Sequence, residues 1–109
     1  MRIKMDTTSV RFMVTRAAEP KVDRETGQQR ADRSTGALLW QVQVMALDES
    51  GGEILTVTVD SEPQAGVGED VQLTGLVAIP WSQGERSGVA FRASGITSNS
   101  AKRSASAAA

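Results

Sequence analysis

Nine arginines and two tryptophans carry most of the chemistry that this sequence can offer. An arginine fork matches the oxygens of a phosphate, and an indole face stacks on a nucleobase, so the pair of residue types points to single-stranded nucleic acid. The tryptophans are Trp40 and Trp81, and the only other aromatics are Phe12 and Phe91. The chain contains no His, Cys or Tyr. Zinc sites of imidazole or thiolate, Ser-His-Asp triads, catalytic thiols, disulfides and tyrosine nucleophiles are thereby excluded.

Acids do not fill the gap. Asp48/Glu49 and Glu69/Asp70 are sequence neighbours in turn segments, where successive side chains point apart, so no metal site is expected. No spacing suggests carboxylate or Ser-Lys catalysis, and the glycine-rich stretches lack the strand-to-helix setting of a phosphate loop. The reading is a non-enzymatic protein without a cofactor. A small enzyme would show itself by a pocket with converging carboxylates.

The 109 residues hold 12 Lys+Arg and 13 Asp+Glu, a net charge of -1 that hides a segregation along the chain. Residues 1–33 carry eight basic residues against five acids, residues 34–81 carry seven acids and no base, and residues 82–109 carry four bases against one acid. Two basic ends that meet in space would build a basic surface, with the acidic middle on another.

These side chains need elements to hold them, and a period of two runs through most of the sequence. Val10, Phe12 and Val14 alternate with Arg11, Met13 and Thr15, which predicts a half-buried strand over 9–18. Trp40, Val42, Val44 and Ala46 predict a second over 38–47, followed by a glycine turn at 48–52 and a third strand at 53–60. Residues 61–69, with Pro63, Gly66 and Gly68, read as a loop. A fourth strand over 70–79 contains Gly75, where a bulge is expected; a turn at 81–87 and a fifth strand at 88–96 complete the set.

Between the first two strands lies KVDRETGQQRADRSTG, residues 21–36, in which Asp23-Arg-Glu-Thr-Gly27 is nearly repeated as Asp32-Arg-Ser-Thr-Gly36. An Asp that caps backbone amides ahead of a left-handed Gly is turn chemistry, so this insert reads as a small hairpin excursion. Five strands with no long helix fit an all-β, OB-like five-stranded barrel, with an SH3-like barrel or a small sandwich as the competing plan. Residues 1–8 read as a flexible start, 9–96 as the barrel domain and 97–109 as a disordered tail whose Lys102-Arg103 pair can touch a polyanion.

On that plan Phe12 and Phe91 belong to the core, and Arg11 and Arg92 lie on the opposite face of the sheet, where a groove would run. Arg16, Lys21, Arg24, Arg30, Arg33 and Arg86 line its edges or project from loops. Trp40 shares a face with Val42 and Val44 and reads first as a core residue, whereas Trp81, between Pro80 and a polar turn, reads first as exposed. Both stand as stacking candidates.

The segments KVDRETG, DRSTGALLWQVQVMALD, ILTVTV, VQLTGLVAIPW and SGVAFRASGI, spread over residues 8–96, resemble a group of small proteins of actinobacterial plasmids and integrating conjugative elements. The Asp-x-x-Thr-Gly turn ahead of Trp-x-Val-x-Val is the most specific part. More loosely, the strand order and turns resemble the OB-fold single-stranded-DNA-binding proteins of filamentous phages. The resemblance implies a part in handling single strands during plasmid replication or transfer. The chain departs from typical bacterial single-strand-binding proteins in lacking an acidic, Phe-ended tail and in its few aromatics.

The expectation is a sequence-tolerant single-stranded-DNA-binding protein. The alternative is a protein-interaction barrel whose acidic middle docks on a replication or transfer protein. DNA and RNA are not distinguished, since that choice rests on contacts to the 2′-hydroxyl. A homo-oligomer, with a dimer favoured, follows from exposed strand edges. The longest apolar runs, 37–40 and 76–81, fall far short of the roughly 20 residues that cross a bilayer, and no signal peptide opens the chain, so a soluble, cytoplasmic location without membrane contact is expected.

Overall fold

The computed structural model describes residues 2–98. Alternation of apolar and polar residues makes each long segment a strand with one dry and one wet face. In chain order the strands are β1 (Ile3–Lys4), β2 (Arg11–Pro20), β3 (Trp40–Asp48), β4 (Gly51–Val59), β5 (Asp70–Thr74), β6 (Val77–Gln83), β7 (Arg86–Arg92) and β8 (Gly95–Ser98). They join in one eight-stranded sheet in the order β1-β6-β7-β4-β3-β2-β5-β8. The pairing of β4 with β7 is parallel, and the others are antiparallel.

The fold is all-β, as expected, but its ladder has two ends and does not close into a ring of five. Two expected strands are each divided. The segment 70–79 breaks at Gly75-Leu76 into β5 and β6, and the segment 88–96 breaks at Ala93-Ser94 into β7 and β8. Both breaks send the chain across the sheet: β5 and β6 stand five places apart in the order, as do β7 and β8. In a flat sheet five places span about 24 Å. Three Cα steps from Thr74 to Val77 cover at most about 11 Å. The sheet is therefore strongly curled. Ser94, at the second crossing, ties it by donating from its backbone N (2.8 Å) and from Oγ (2.9 Å) to the carbonyl of Thr74.

Inside the curl lies a core of small, stiff side chains. Phe12 and Val14 of β2, Val42 and Val44 of β3, Val57 and Val59 of β4, and Val71 and Leu73 of β5 are buried together with Leu76 and Ala93. Valine predominates because its branched Cβ is already restricted to strand-compatible rotamers. Trp40 and Phe91 are half-buried and pack against this cluster.

Turns are shorter than the glycines suggested. Gly51 and Gly52 pair with Asp48 and Leu47, which leaves Glu49-Ser50 as the turn. Trp81 is likewise a strand residue, paired with Gly88, and the β6–β7 turn is Gly84-Glu85. Residues 3–4 of the expected flexible start form β1 against β6. Of the expected tail, Thr97 and Ser98 finish β8, and residues 99–109 lie outside the described residues.

The insert between β2 and β3 holds two turns rather than one hairpin. In the first, Asp23 N donates to Gln28 O, Gly27 N to Asp23 O and Glu25 N to Asp23 Oδ1, each at 2.8 Å. In the second, Asp32 N donates to Ala37 O and Gly36 N to Asp32 O, both at 2.8 Å, and Ser34 N to Asp32 Oδ1 at 2.7 Å. Gly27 (φ 72°) and Gly36 (φ 77°) take the left-handed conformation that other residues avoid. A ring of backbone bonds closes the base of the pair: Arg30 N to Lys21 O, Leu39 N to Arg30 O, and Lys21 N to Leu39 O.

Candidate nucleic-acid interface

Register assigns each side chain to a face. Phe12, Val14, Val42, Val44, Val57 and Val59 point inward, so Gln41, Gln43, Thr56 and Thr58 point out. Thr58 pairs with Arg92, which extends this outer face onto β7. From Arg92 it continues along the β6–β7 hairpin through the pairs Ile79–Ala90, Trp81–Gly88 and Gln83–Arg86. Arg86, Trp81 and Arg92 thus share one side of the hairpin, spread over about 20 Å of strand.

Trp81 is 45% exposed, and its indole packs closely against Gly88: a Cβ built there would stand 2.8 Å from Trp81 Cζ2. The glycine is what lets so large a ring pack this close to the neighbouring strand. Trp40 differs. It pairs with Val59 on the inner side and packs against the core, which leaves Trp81 as the exposed tryptophan.

Basic residues gather where the insert meets this face. Lys21 Nζ donates to Thr58 Oγ1 at 3.1 Å, and Arg30 and Arg92 are near enough to act on its charge. Burial, and then the positive charges of Arg30 and Arg92, push the Lys21 ammonium below its ordinary range. One acid enters the group: the Arg92 guanidinium donates to Asp32 Oδ2. Asp32 is held below the usual carboxylate range by the backbone N–H of Ser34 first, then by Arg92 and the backbone N–H of Thr35. Lys21 thus has two cations near it, Arg30 and Arg92, and of these Arg92 is paired with Asp32, which leaves positive charge in excess at this spot.

The depressed Lys21 pKa has a consequence for stability. Between the folded value and the ordinary lysine value of about 10.4, the unfolded chain binds more protons than the folded one, so stability rises with pH in that window. Lys21→Met is expected to abolish this rise. Thermal melts followed by circular dichroism as the pH is raised toward that value check it, and a Lys21→Met chain that keeps the rise contradicts the assignment.

The other predicted residues distribute as follows. Arg16 is exposed and pairs with Gln43, on the same outer face. Arg24 and Arg33 are exposed in the two turns of the insert. Arg11 faces outward too, but at the level of Leu47, six residues along β3 from Gln41 and so about 20 Å from the Arg92 level. It is occupied by Asp70 at 2.7 Å. Arg11 and Arg92 therefore do not line one groove, because β2 presents Arg11 at the far end of the sheet. Sequence reasoning missed Gln41, Gln43 and Thr58, although alternation with the core valines signals their outward direction. It also missed Asp32 as the partner of Arg92, since a contact across 60 positions leaves no local trace.

At the end of the sheet away from this face, a cavity of about 420 Å³ has walls that include Phe12, Leu55, Leu76 and Phe91, with Asp6, Asp48 and Glu53 among its lining. Asp6 and Asp48 are engaged with their own turns, accepting from Thr8 and Ser50, and these bonds hold both below the usual carboxylate range. Among the described residues no group of three or more acidic, His or Cys side chains could hold a metal ion, and no helix is long and apolar enough to cross a membrane. No protein-family model, curated protein or solved structure matches the chain.

Proposed function

We propose that the chain is a non-enzymatic protein that binds single-stranded DNA with little sequence preference, through the outer face that joins the insert, β3, β4 and the β6–β7 hairpin. One observation carries the reading: an exposed indole lies on the same strand face as Arg86 and Arg92, and that face runs on to Lys21 and Arg30. Stacking supplies roughly 1–3 kcal/mol per base and is indifferent to sequence, while the basic residues follow the phosphates. Gln41, Gln43 and Thr58 on this face are tied to Glu19, Thr15 and Lys21, which fixes their positions between the basic residues.

The strand plan supports the same reading. Counting β5 and β6 as halves of one long strand bent at Gly75, with β1 and β8 as short additions, gives five strands with one parallel pair, an order compatible with the OB plan on a sheet whose ladder keeps two ends. In that fold the face of the second and third strands and the loops after the first and fourth strands bind oligonucleotides. Those parts correspond to β3 with β4, to the two-turn insert, and to the Gly84-Glu85 turn. The resemblance to plasmid and conjugative-element proteins supports a role with single strands during replication or transfer.

The test is fluorescence anisotropy with labelled oligo(dT), oligo(rU) and a matching duplex at two salt concentrations. Preference for the single strand, weakening steeply with salt, is the expected result; equal binding of rU would extend the reading to RNA. Absence of binding at low salt overturns it. A protein-interaction module, the second reading, is favoured by one feature, the cavity whose lining mixes apolar side chains with Asp6, Asp48 and Glu53.

A further inference from the structure

The insert is built from a nine-residue unit used twice. Lys21-Val-Asp-Arg-Glu-Thr-Gly-Gln-Gln29 and Arg30-Ala-Asp-Arg-Ser-Thr-Gly-Ala-Leu38 match at the first, third, fourth, sixth and seventh positions in residue type, counting Lys and Arg as one type. Each unit folds into the same leaf. The third-position Asp accepts from the backbone two residues on, the seventh-position Gly N donates to that Asp's carbonyl, and the sixth-position Thr Oγ1 accepts from the eighth-position N–H, Gln28 or Ala37. Isolated bridges Val22–Gln29 and Ala31–Leu38 close the two leaves at equivalent places.

Folding accounts for Asp, Thr and Gly in this unit. It does not account for the fourth-position arginine. Arg24 and Arg33 are exposed, and neither side chain has a hydrogen bond or ion pair among the described residues. The first-position cations, Lys21 and Arg30, come together at the bonded ring at the base, beside Arg92. A duplicated frame that holds the same unpaired guanidinium at the same position twice is a device for meeting a ligand whose chemistry also repeats. A phosphodiester strand is such a ligand.

We infer that the two leaves are equivalent phosphate-binding units, each placing its fourth-position arginine on one phosphate of a single strand, with Lys21 and Arg30 at their shared base. The inference rests on the single-strand-binding reading and adds to it a stoichiometry: one phosphate per leaf. Glu25 stands beside Arg24 where Ser34 stands beside Arg33, so Arg33 contributes at least as much as Arg24.

Anisotropy titrations of labelled oligo(dT) over a salt series, with wild type, Arg24→Gln, Arg33→Gln, the double variant and Trp81→Ala, test this. Each single substitution is expected to flatten the log–log salt slope by about 0.7, and the double variant by about 1.4. The matching loss at 50 mM salt is roughly fivefold to tenfold per arginine. Unchanged melting temperatures are expected, since the arginines brace nothing. A slope that moves for one leaf only, or for neither while Trp81→Ala still weakens binding, overturns the inference and leaves the single-strand reading standing. Wild type that binds no oligo(dT) overturns both.

Discussion

Trp81→Ala is expected to lower the affinity for oligo(dT) by roughly 5- to 150-fold, the equivalent of one lost base stack of about 1–3 kcal/mol. The size follows from position. Trp81 is the exposed tryptophan, on a strand face with Arg86 and Arg92, and its ring packs against Gly88. Truncation removes the exposed part of the ring together with its packing on Gly88, so a thermal melt of the same variant separates lost affinity from lost stability. Trp81→Phe retains a π face and restores most of the affinity, which a purely structural tryptophan would not predict. Equal affinity for wild type and Trp81→Ala would place the bases elsewhere.

Gly75→Val is expected to cost roughly 3 kcal/mol of folding stability, combining left-handed backbone strain with a steric conflict. Gly75 has φ 63°, and a Cβ there would stand 2.8 Å from Ser94 Oγ. Rotating Ser94 Oγ out of the way gives up its hydrogen bond to the Thr74 carbonyl, and the left-handed backbone strain remains. Ser94→Ala removes the conflicting oxygen and leaves that Cβ with Ser94 Cβ at 3.5 Å as its nearest neighbour. Gly75→Ala should therefore cost less in a Ser94→Ala background than alone, a coupling that urea melts of the four chains would show. A wild-type urea midpoint for Gly75→Val would mean that the chain does not bend there.

Much of this architecture is written in alternation. Phe12 and Val14, Val42 and Val44, and Val71 and Leu73 declare their strands and their inner faces, and by elimination the outer face of Gln41, Gln43, Thr56 and Thr58. What alternation does not encode is where one strand hands over to another. The period of two continues through Val71, Leu73 and beyond Gly75, so β5 and β6 read as one strand although they pair with different neighbours. Turn length was also hidden. Gly51, Gly52 and Trp81 join ladders because their cross-strand partners hold them, and a local reading of glycine sees only the turn.

The candidate site was legible in its residue types and less so in their grouping. Trp81 separates from Trp40 by its neighbours, Pro80 on one side and a polar turn on the other. The repeated Asp-Arg-x-Thr-Gly turn was visible, but the bonded ring of Lys21, Arg30 and Leu39 that joins its two copies is a tertiary fact. Arg11 and Arg92 looked equivalent because each follows or precedes a core Phe. Long-range pairing gave them different acids, Asp70 and Asp32, and put them at different ends of the sheet.

The most direct test of the whole account is a titration of isotope-labelled protein with oligo(dT), followed by NMR shifts of the backbone amides and the two indole N–H groups. The account predicts shifts confined to the outer face: the Trp81 indole, Gly88, Arg92, Thr58, Lys21 and the two leaves, with the Trp40 indole little moved. Shifts centred on Arg11 and Asp70, or on the cavity between Asp6 and Glu53, would contradict it.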